Sequence, residues 1–359
     1  MMFIKNKDVW RKLIVYQKNE LKTVFKGKKI LITGGTGSLG QALTKRLLEL
    51  DVDSIRIFSR NESKQVEMKS EFDDDRLRFY IGDIRDLHRL REAVEDVDIV
   101  FHSAALKHVS VIEYNPYEAI KTNVIGSQNV VDASFHEGVE IAVAVGTDKA
   151  VSPLNTYGAT KLLMEKLFVT AHNYVRKEKH RTKFIALRYG NVLGSSGSVV
   201  PKFISQMKKK QKLTITDPNM TRFSITMDKA LEFILESTKK GIGGEIFSPK
   251  LMKYSIMDLT NALLELYTNT GWEKIPIGEG EKMHEILINE DEMRNTLETD
   301  SNYIIANKSL EDKLKKIHPD LRKPSLTKTY SSEFAEKISK DQLKQIIQEQ
   351  PWFKDSVLK

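Results

Sequence analysis

The chain has 359 residues, 40% hydrophobic and 30% charged, which suits roughly two soluble globular domains and not a disordered polymer. It contains no cysteine, which excludes a disulfide framework, a thiolate zinc site, an iron–sulfur cluster and a catalytic thiol. Of the net charge of +8, residues 1–29 carry +7, so the rest of the chain is nearly neutral and offers no cationic face for a nucleic acid.

In chain order, the first segment is this basic leader, residues 1–26. Phe3, Ile4, Trp10, Leu13, Ile14, Leu21 and Phe25 recur in it at roughly helical spacing. It reads as a solvated or oligomer-packing arm, or as weak adhesion to an anionic membrane surface, and its removal through residue 25 is expected to leave turnover intact. No signal peptide is evident, and apolar runs such as Ile141–Val145 are far too short to span a bilayer, so a cytoplasmic protein is expected. From 27 to 190, β-type runs alternate with helical ones. The strands predicted are Lys29–Thr33, Ile55–Phe58, Leu77–Ile81, Ile99–His102, Ile141–Val145 and Phe184–Arg188, with helices at Gln41–Leu50 and Tyr117–Ala133 among those between. Such alternation predicts a Rossmann-type, doubly wound parallel α/β sheet. Residues 191–305 are less regular and read as a smaller, interleaved substrate lobe, within which Gly244–Ser248 is a strand expected to return to the main sheet. The polar C-terminal extension, 306–359, contains one amphipathic helix near Lys340–Glu349.

The first chemical signal is Thr33-Gly34-Gly35-Thr36-Gly37-Ser38-Leu39-Gly40, directly between a strand and a helix. Gly34 permits a tight turn, Gly37 lets backbone approach a pyrophosphate, and Gly40 lets helix and strand pack closely. This predicts dinucleotide binding. At the end of the second strand an acidic residue would select NAD by bonding the ribose 2′-OH. Ser59-Arg60-Asn61 stands there instead, with Lys64 one turn on, so a 2′-phosphate and hence NADP is expected.

The second signal is Tyr157-Gly158-Ala159-Thr160-Lys161, which puts a phenol and an ammonium on one face of a helix. A nearby cation favours the phenolate needed to deprotonate a sugar hydroxyl during hydride transfer. Just upstream, the strand at 141–145 is followed by Thr147-Asp148-Lys149. Here the chain resembles the extended short-chain dehydrogenase/reductase family, and more narrowly its inverting UDP-N-acetylglucosamine 4,6-dehydratases. The resemblance rests on Thr147–Ala150 and Asn155–Lys161, and on Ser103–Val109, Arg188–Val192, Met220–Phe223 and Gly280–Glu285.

It implies the following roles. Thr147 holds the substrate's reacting oxygen, Tyr157 and Lys161 serve oxidation at C4, Lys149 is the base at C5, and Asp148 is the acid on the C6 oxygen. Asp83, Ile84, Ala104, Ala105 and Lys107 join the cofactor site, filled by a tightly bound NADP recycled in each turnover. Lys107, Asn191 and Val199 meet the nucleotide sugar. Arg222, with Lys282 second, grips its diphosphate, as guanidinium chemistry favours, and Glu285 accepts a hydrogen bond from the ribose. A homo-oligomer, dimer or hexamer, is also implied. The family usually has Arg at the position of Ser196 and often Asp at that of Asn61. A UDP-sugar 4-epimerase is the alternative, since it shares Tyr157 and Lys161 but needs neither Asp148 nor Lys149. His102, His108, His136 and His284 lack metal-binding spacing, so no metal is expected.

Overall fold

A computed structural model of the chain describes residues 19–174, 182–195 and 197–357. Its centre is a nine-stranded sheet, with strands labelled here in chain order: β1 (Lys29–Thr33), β2 (Ser54–Ser59), β3 (Leu77–Ile81), β4 (Ile99–His102), β5 (Ile141–Val145), β6 (Lys183–Leu187), β7 (Glu245–Pro249), β8 (Thr296–Glu298) and β9 (Asn302–Ala306). The spatial order is β8-β9-β7-β6-β5-β4-β1-β2-β3. Strands β1 to β7 run parallel, and β9 is antiparallel to both β7 and β8. Every residue of β4 and β5 is buried, as expected where helices cover both faces of a parallel sheet. The order reverses between β1 and β4, and ligands of open α/β sheets bind outside the carboxyl ends of strands at that point.

The six strands predicted in the first half are all present, within one residue at each end. The helix after β1 starts earlier than predicted, at Ser38, directly behind Gly37. The segment predicted as one helix over Tyr117–Ala133 is interrupted by a π-helical stretch, Ile120–Ile125. Within it Asn123 uses its side-chain amide to accept from Leu106 N–H (2.8 Å) and to donate to Leu106 O (2.9 Å) and Thr160 Oγ1 (3.0 Å). The widened turn thus ties the loop after β4 to the helix Thr156–Tyr174.

Residues beyond 190 are divided between two cores. β7, β8 and β9 extend the main sheet, while Phe203, Leu213, Tyr254, Leu259 and Leu263 form a separate cluster. Leu343 and Ile347 of the helix Lys340–Glu349 complete that second cluster. Part of the polar extension is therefore a wall of the second lobe. Its helix is held at the start by a capping box between Ser339 and Gln342.

The leader requires a correction. Residues 1–18 lie outside the described part, but 19–25 are helical, with Leu21 and Phe25 buried in the main core and Glu20 ion-paired to Lys239 at 2.5 Å. Removal through residue 25 would take core side chains with it, because the apolar stripe of this turn faces the sheet. Phe25→Ala is expected to cost about 3–5 kcal/mol, measured as a lowered denaturant midpoint. A midpoint like that of the parent protein would put Phe25 outside the core.

Candidate active site

The loop after β1 is shaped by contacts that only glycine allows. Gly34 has φ +70°, and a Cβ there would lie 2.9 Å from the backbone of Ala104. A Cβ on Gly40 would come 2.4 Å from the carbonyl oxygen of Gly35. Gly37 directly precedes the helix Ser38–Leu48, whose first N–H groups have no partner within the helix. From this loop a cleft of about 590 Å³ runs along the carboxyl edge of the sheet. Gly34, Thr36, Gly37, Ser38, Leu39 and Gly40 line one end. Ser59, Arg60, Asn61, Lys64, Asp83 and Ile84 line the β2–β3 side, and Ala104, Ala105 and Lys107 the β4 side. Thr147, Lys149, Tyr157, Lys161 and Asn191 close the other end. His108, Thr122, Tyr189 and Met227 line it too. Thr122 and Met227 come from segments where sequence spacing marks nothing unusual, whereas His108 and Tyr189 lie within stretches that carry the family resemblance.

Arg60 is half exposed, with Nη1 3.6 Å from Asp83 Oδ2. Asp83 in turn holds Arg85 at 2.6 Å, so Arg60 is a loosely held cation at the rim. The Asn61 side chain caps the next helix by accepting from Lys64 N–H.

At the closed end, the helix Thr156–Tyr174 presents Tyr157 and Lys161 one turn apart. Lys161 Nζ donates to Val145 O at 2.7 Å, and burial, partly offset by Glu165, lowers its pKa to about 8. Burial pushes the Tyr157 phenol up, against the pull of the Lys149 charge and a hydrogen bond with Thr147. Lys149 Nζ is a three-pronged donor with three acceptors: Asp148 Oδ1 at 3.1 Å, Asn191 Oδ1 at 3.2 Å and Glu285 Oε1 at 3.3 Å. Burial alone would lower its pKa, but Asp148 and Glu285 outweigh that and hold it above the ordinary lysine value. Burial and the neighbouring Glu285 charge raise Asp148. Asp148 is wholly buried and does not line this cleft, and it meets the cleft through the Thr147 hydroxyl, which donates to Oδ1 at 2.9 Å.

A second cavity, also about 590 Å³, adjoins the first through Asn191, Gly197 and Ser198. Val199, Arg222, Tyr254 and Glu281 line it. Arg222 donates to the carbonyls of Thr221 (2.8 Å) and Met283 (3.2 Å) and stands 3.8 Å from Glu281. Two candidates for the sugar nucleotide lie elsewhere. Lys282 donates to Val151 O at 2.5 Å, and Glu285 packs against Lys149 and Arg222; neither lines either of these two cavities. Both belong to the segment Gly280–Glu285, and its folding turns them toward the Thr147–Val151 loop instead of toward the second cavity. Ser196 lies outside the described residues. Among the described residues no group of three or more His, Asp or Glu is placed to hold a metal, and no helix is long and apolar enough to cross a membrane.

Sheet order, glycine loop and the Tyr157/Lys161 pair define a short-chain dehydrogenase/reductase of the extended type. Residues 30–307 match the model of the polysaccharide biosynthesis protein family, and the chain belongs to that family. It is 49% identical to the inverting UDP-N-acetylglucosamine 4,6-dehydratase of Campylobacter jejuni over 79% of this chain and 84% of that one. It is 37% identical to a UDP-glucose 4-epimerase of Rickettsia bellii, over 90% and 96%. Among solved structures, Pen from Bacillus thuringiensis superposes with a TM-score of 0.83 at 39% identity, covering 91% of this chain and 98% of that one. A dTDP-glucose 4,6-dehydratase from Streptomyces venezuelae, solved with NAD bound, shares the fold with a TM-score of 0.64 at 23% identity, covering 71% and 86%.

Proposed function

We propose that this chain is an NADP-dependent UDP-N-acetylglucosamine 4,6-dehydratase that inverts C5. Its product would be a UDP-4-keto-6-deoxy-L-hexosamine for surface glycan or glycoprotein sugars. The observation that carries the reading is the pairing of Asp148 with Lys149 at the cleft end beside Tyr157, an acid and a base beyond what alcohol oxidation requires. The named activity of the Campylobacter jejuni relative supports it. The same reading takes residues 27–190 as the cofactor domain and 191–305 as the substrate lobe, and places a homo-oligomer in the cytoplasm.

The cleft fits a nicotinamide dinucleotide, since helix N–H groups stand at one end and the Tyr157/Lys161 pair at the other. The Gly34–Gly40 loop, Tyr157 and Lys161 would hold it, and when bound it would supply the hydride chemistry at C4 and C6. The protein's residues handle the protons. Tyr157 takes the proton of the C4 hydroxyl, helped by the Lys161 cation, and Thr147 holds the reacting oxygen. With C4 a ketone, the C5 proton becomes acidic and Lys149 removes it. Asp148 supplies a proton to the departing C6 oxygen, with the Thr147 hydroxyl offering a path from the buried carboxyl to the cleft. Reprotonation from the opposite face inverts C5. Arg222 in the second cavity offers its fork to the diphosphate.

Incubation with UDP-N-acetylglucosamine in D₂O, followed by NMR and mass spectrometry, tests the reading. The expected product is a 4-keto-6-deoxy sugar carrying deuterium at C5. A C4 epimer without C5 deuterium would make the epimerase reading the correct one. For the cofactor, Arg60→Asp is expected to weaken NADP by about tenfold or more, the loss of one charge-assisted contact, and to leave NAD unchanged or improved. Titration with both dinucleotides checks this, and equal losses would make Arg60 a structural residue.

A further inference from the structure

Lys149 has two carboxylates within reach, and their surroundings differ. Asp148 has one ion-pair partner, Lys149 at 3.1 Å, and its Oδ2, like Glu285 Oε2, is buried without a hydrogen-bond partner. Glu285 Oε1 lies between Lys149 Nζ at 3.3 Å and Arg222 Nε at 3.6 Å, with the Lys282 charge also acting on it. Two acids around one buried lysine do not both ionise readily, and the one with more cations about it ionises first. Glu285 is also fixed in place. Its N–H donates to Ser332 Oγ, and its carbonyl accepts from Ser332 N–H, each at 2.8 Å. Two residues on, Arg188 donates to Leu287 O at 2.9 Å.

We infer that Glu285 is the counter-ion of Lys149 and the group that takes its proton during turnover, so that Asp148 keeps its own proton for the departing C6 oxygen. This deepens the dehydratase reading and rests on it. The step balances within the cluster: an N–H bond of the Lys149 ammonium breaks, an O–H bond forms at Glu285 Oε1, and an ion pair becomes an amine beside a carboxylic acid. Lys149 is then a free base for the C5 proton while Asp148 is still an acid. Glu285 acts through Lys149 and is a positioning residue.

The charged and titratable groups acting on the cluster are Arg222, Lys282, Tyr157 and Tyr254. Their balance agrees with the resting charges, an ionised Glu285 and a protonated Asp148, and it makes the transfer from Lys149 to Glu285 an uphill step made only during turnover. Burial would raise Glu285, but Lys149, Arg222 and Lys282 hold it below its ordinary value, whereas burial and the Glu285 charge raise Asp148.

Glu285→Gln keeps the side chain's size and removes both the charge and the proton acceptor. Lys149 is then left with Asp148 as its only counter-ion, and the acid is lost. The expected result is a fall of about 100-fold or more in kcat for dehydration, the scale of one acid–base group, with KM little changed. Oxidation at C4, read as reduced-nicotinamide absorbance, should persist and so report a folded site. The alkaline limb of the pH–rate profile requires protonated Asp148. Without the like charge of Glu285 the Asp148 pKa falls, so the limb moves to lower pH. Glu285→Asp retains the charge and should keep the limb near its wild-type position. An unchanged kcat and limb in Glu285→Gln would overturn the inference, as would a raised KM with kcat intact, which would mark a sugar contact. Wild type assayed alongside separates the two levels: if it forms no 4-keto-6-deoxy product, the dehydratase reading fails and the inference with it.

Discussion

Replacing Lys149 by Met is expected to abolish 4-keto-6-deoxy product while leaving oxidation at C4 in place. Met fills similar volume but can neither hold nor accept a proton, so the C5 proton has no acceptor. Tyr157 and Lys161 stand on a different element, the helix Thr156–Tyr174, and Lys161 donates its main hydrogen bond to Val145 O, so their placement does not depend on Lys149. Loss of one general base is worth about 10²- to 10⁴-fold. Exchange of the C5 proton with D₂O should vanish in the same variant, while reduced-nicotinamide absorbance still develops with substrate. Tyr157→Phe should behave in the opposite way and block that absorbance change itself. If Lys149→Met dehydrates near the wild-type rate, elimination does not use this lysine and another group is the C5 base.

The second large effect concerns stability. Arg188 is fully buried and uses all five of its N–H donors. Nε and Nη2 grip Glu165 at 3.2 and 2.6 Å, Nη1 and Nη2 grip Glu292 at 2.9 and 3.0 Å, and Nη1 also meets Leu287 O. The network joins β6, the helix bearing Lys161 and the segment bearing Glu285. Arg188→Met would leave Glu165 buried and unpaired, and is expected to cost about 3–5 kcal/mol, visible as a drop in denaturant midpoint. Pairing it with Glu165→Leu should recover part of that loss, because the stranded charge is then gone. A single variant as stable as wild type would show that the arginine's desolvation cancels its bonds.

The early half of the fold was legible in the residues because its signals are local. Continuous apolar runs such as Ile141–Val145 become parallel strands buried on both faces, and Gly34 to Gly40 specify a turn that a Cβ would obstruct. The π-helical stretch at Ile120–Ile125 was not legible, since its side chain of interest, Asn123, bonds to Leu106 and Thr160 from other parts of the chain. Leu21 and Phe25 looked like part of a basic arm because charge dominates their neighbourhood, although their apolar stripe is what docks.

For the site, the sequence by itself determined the chemistry at hand: a glycine loop for phosphates, a Tyr157/Lys161 pair at helical spacing, and adjacent Asp148 and Lys149. Each is encoded within a few residues, where backbone geometry alone sets which groups share a face. What only the tertiary structure decided is which partners these groups meet. Glu285 lies 136 positions from Lys149 and reads as a substrate contact in sequence, yet it completes the ammonium's third hydrogen bond. Arg222 and Val199 open onto a second cavity, while Lys282 turns away to Val151. Long-range electrostatics arise from distances between segments far apart in the chain, and spacing along the chain carries no record of those distances.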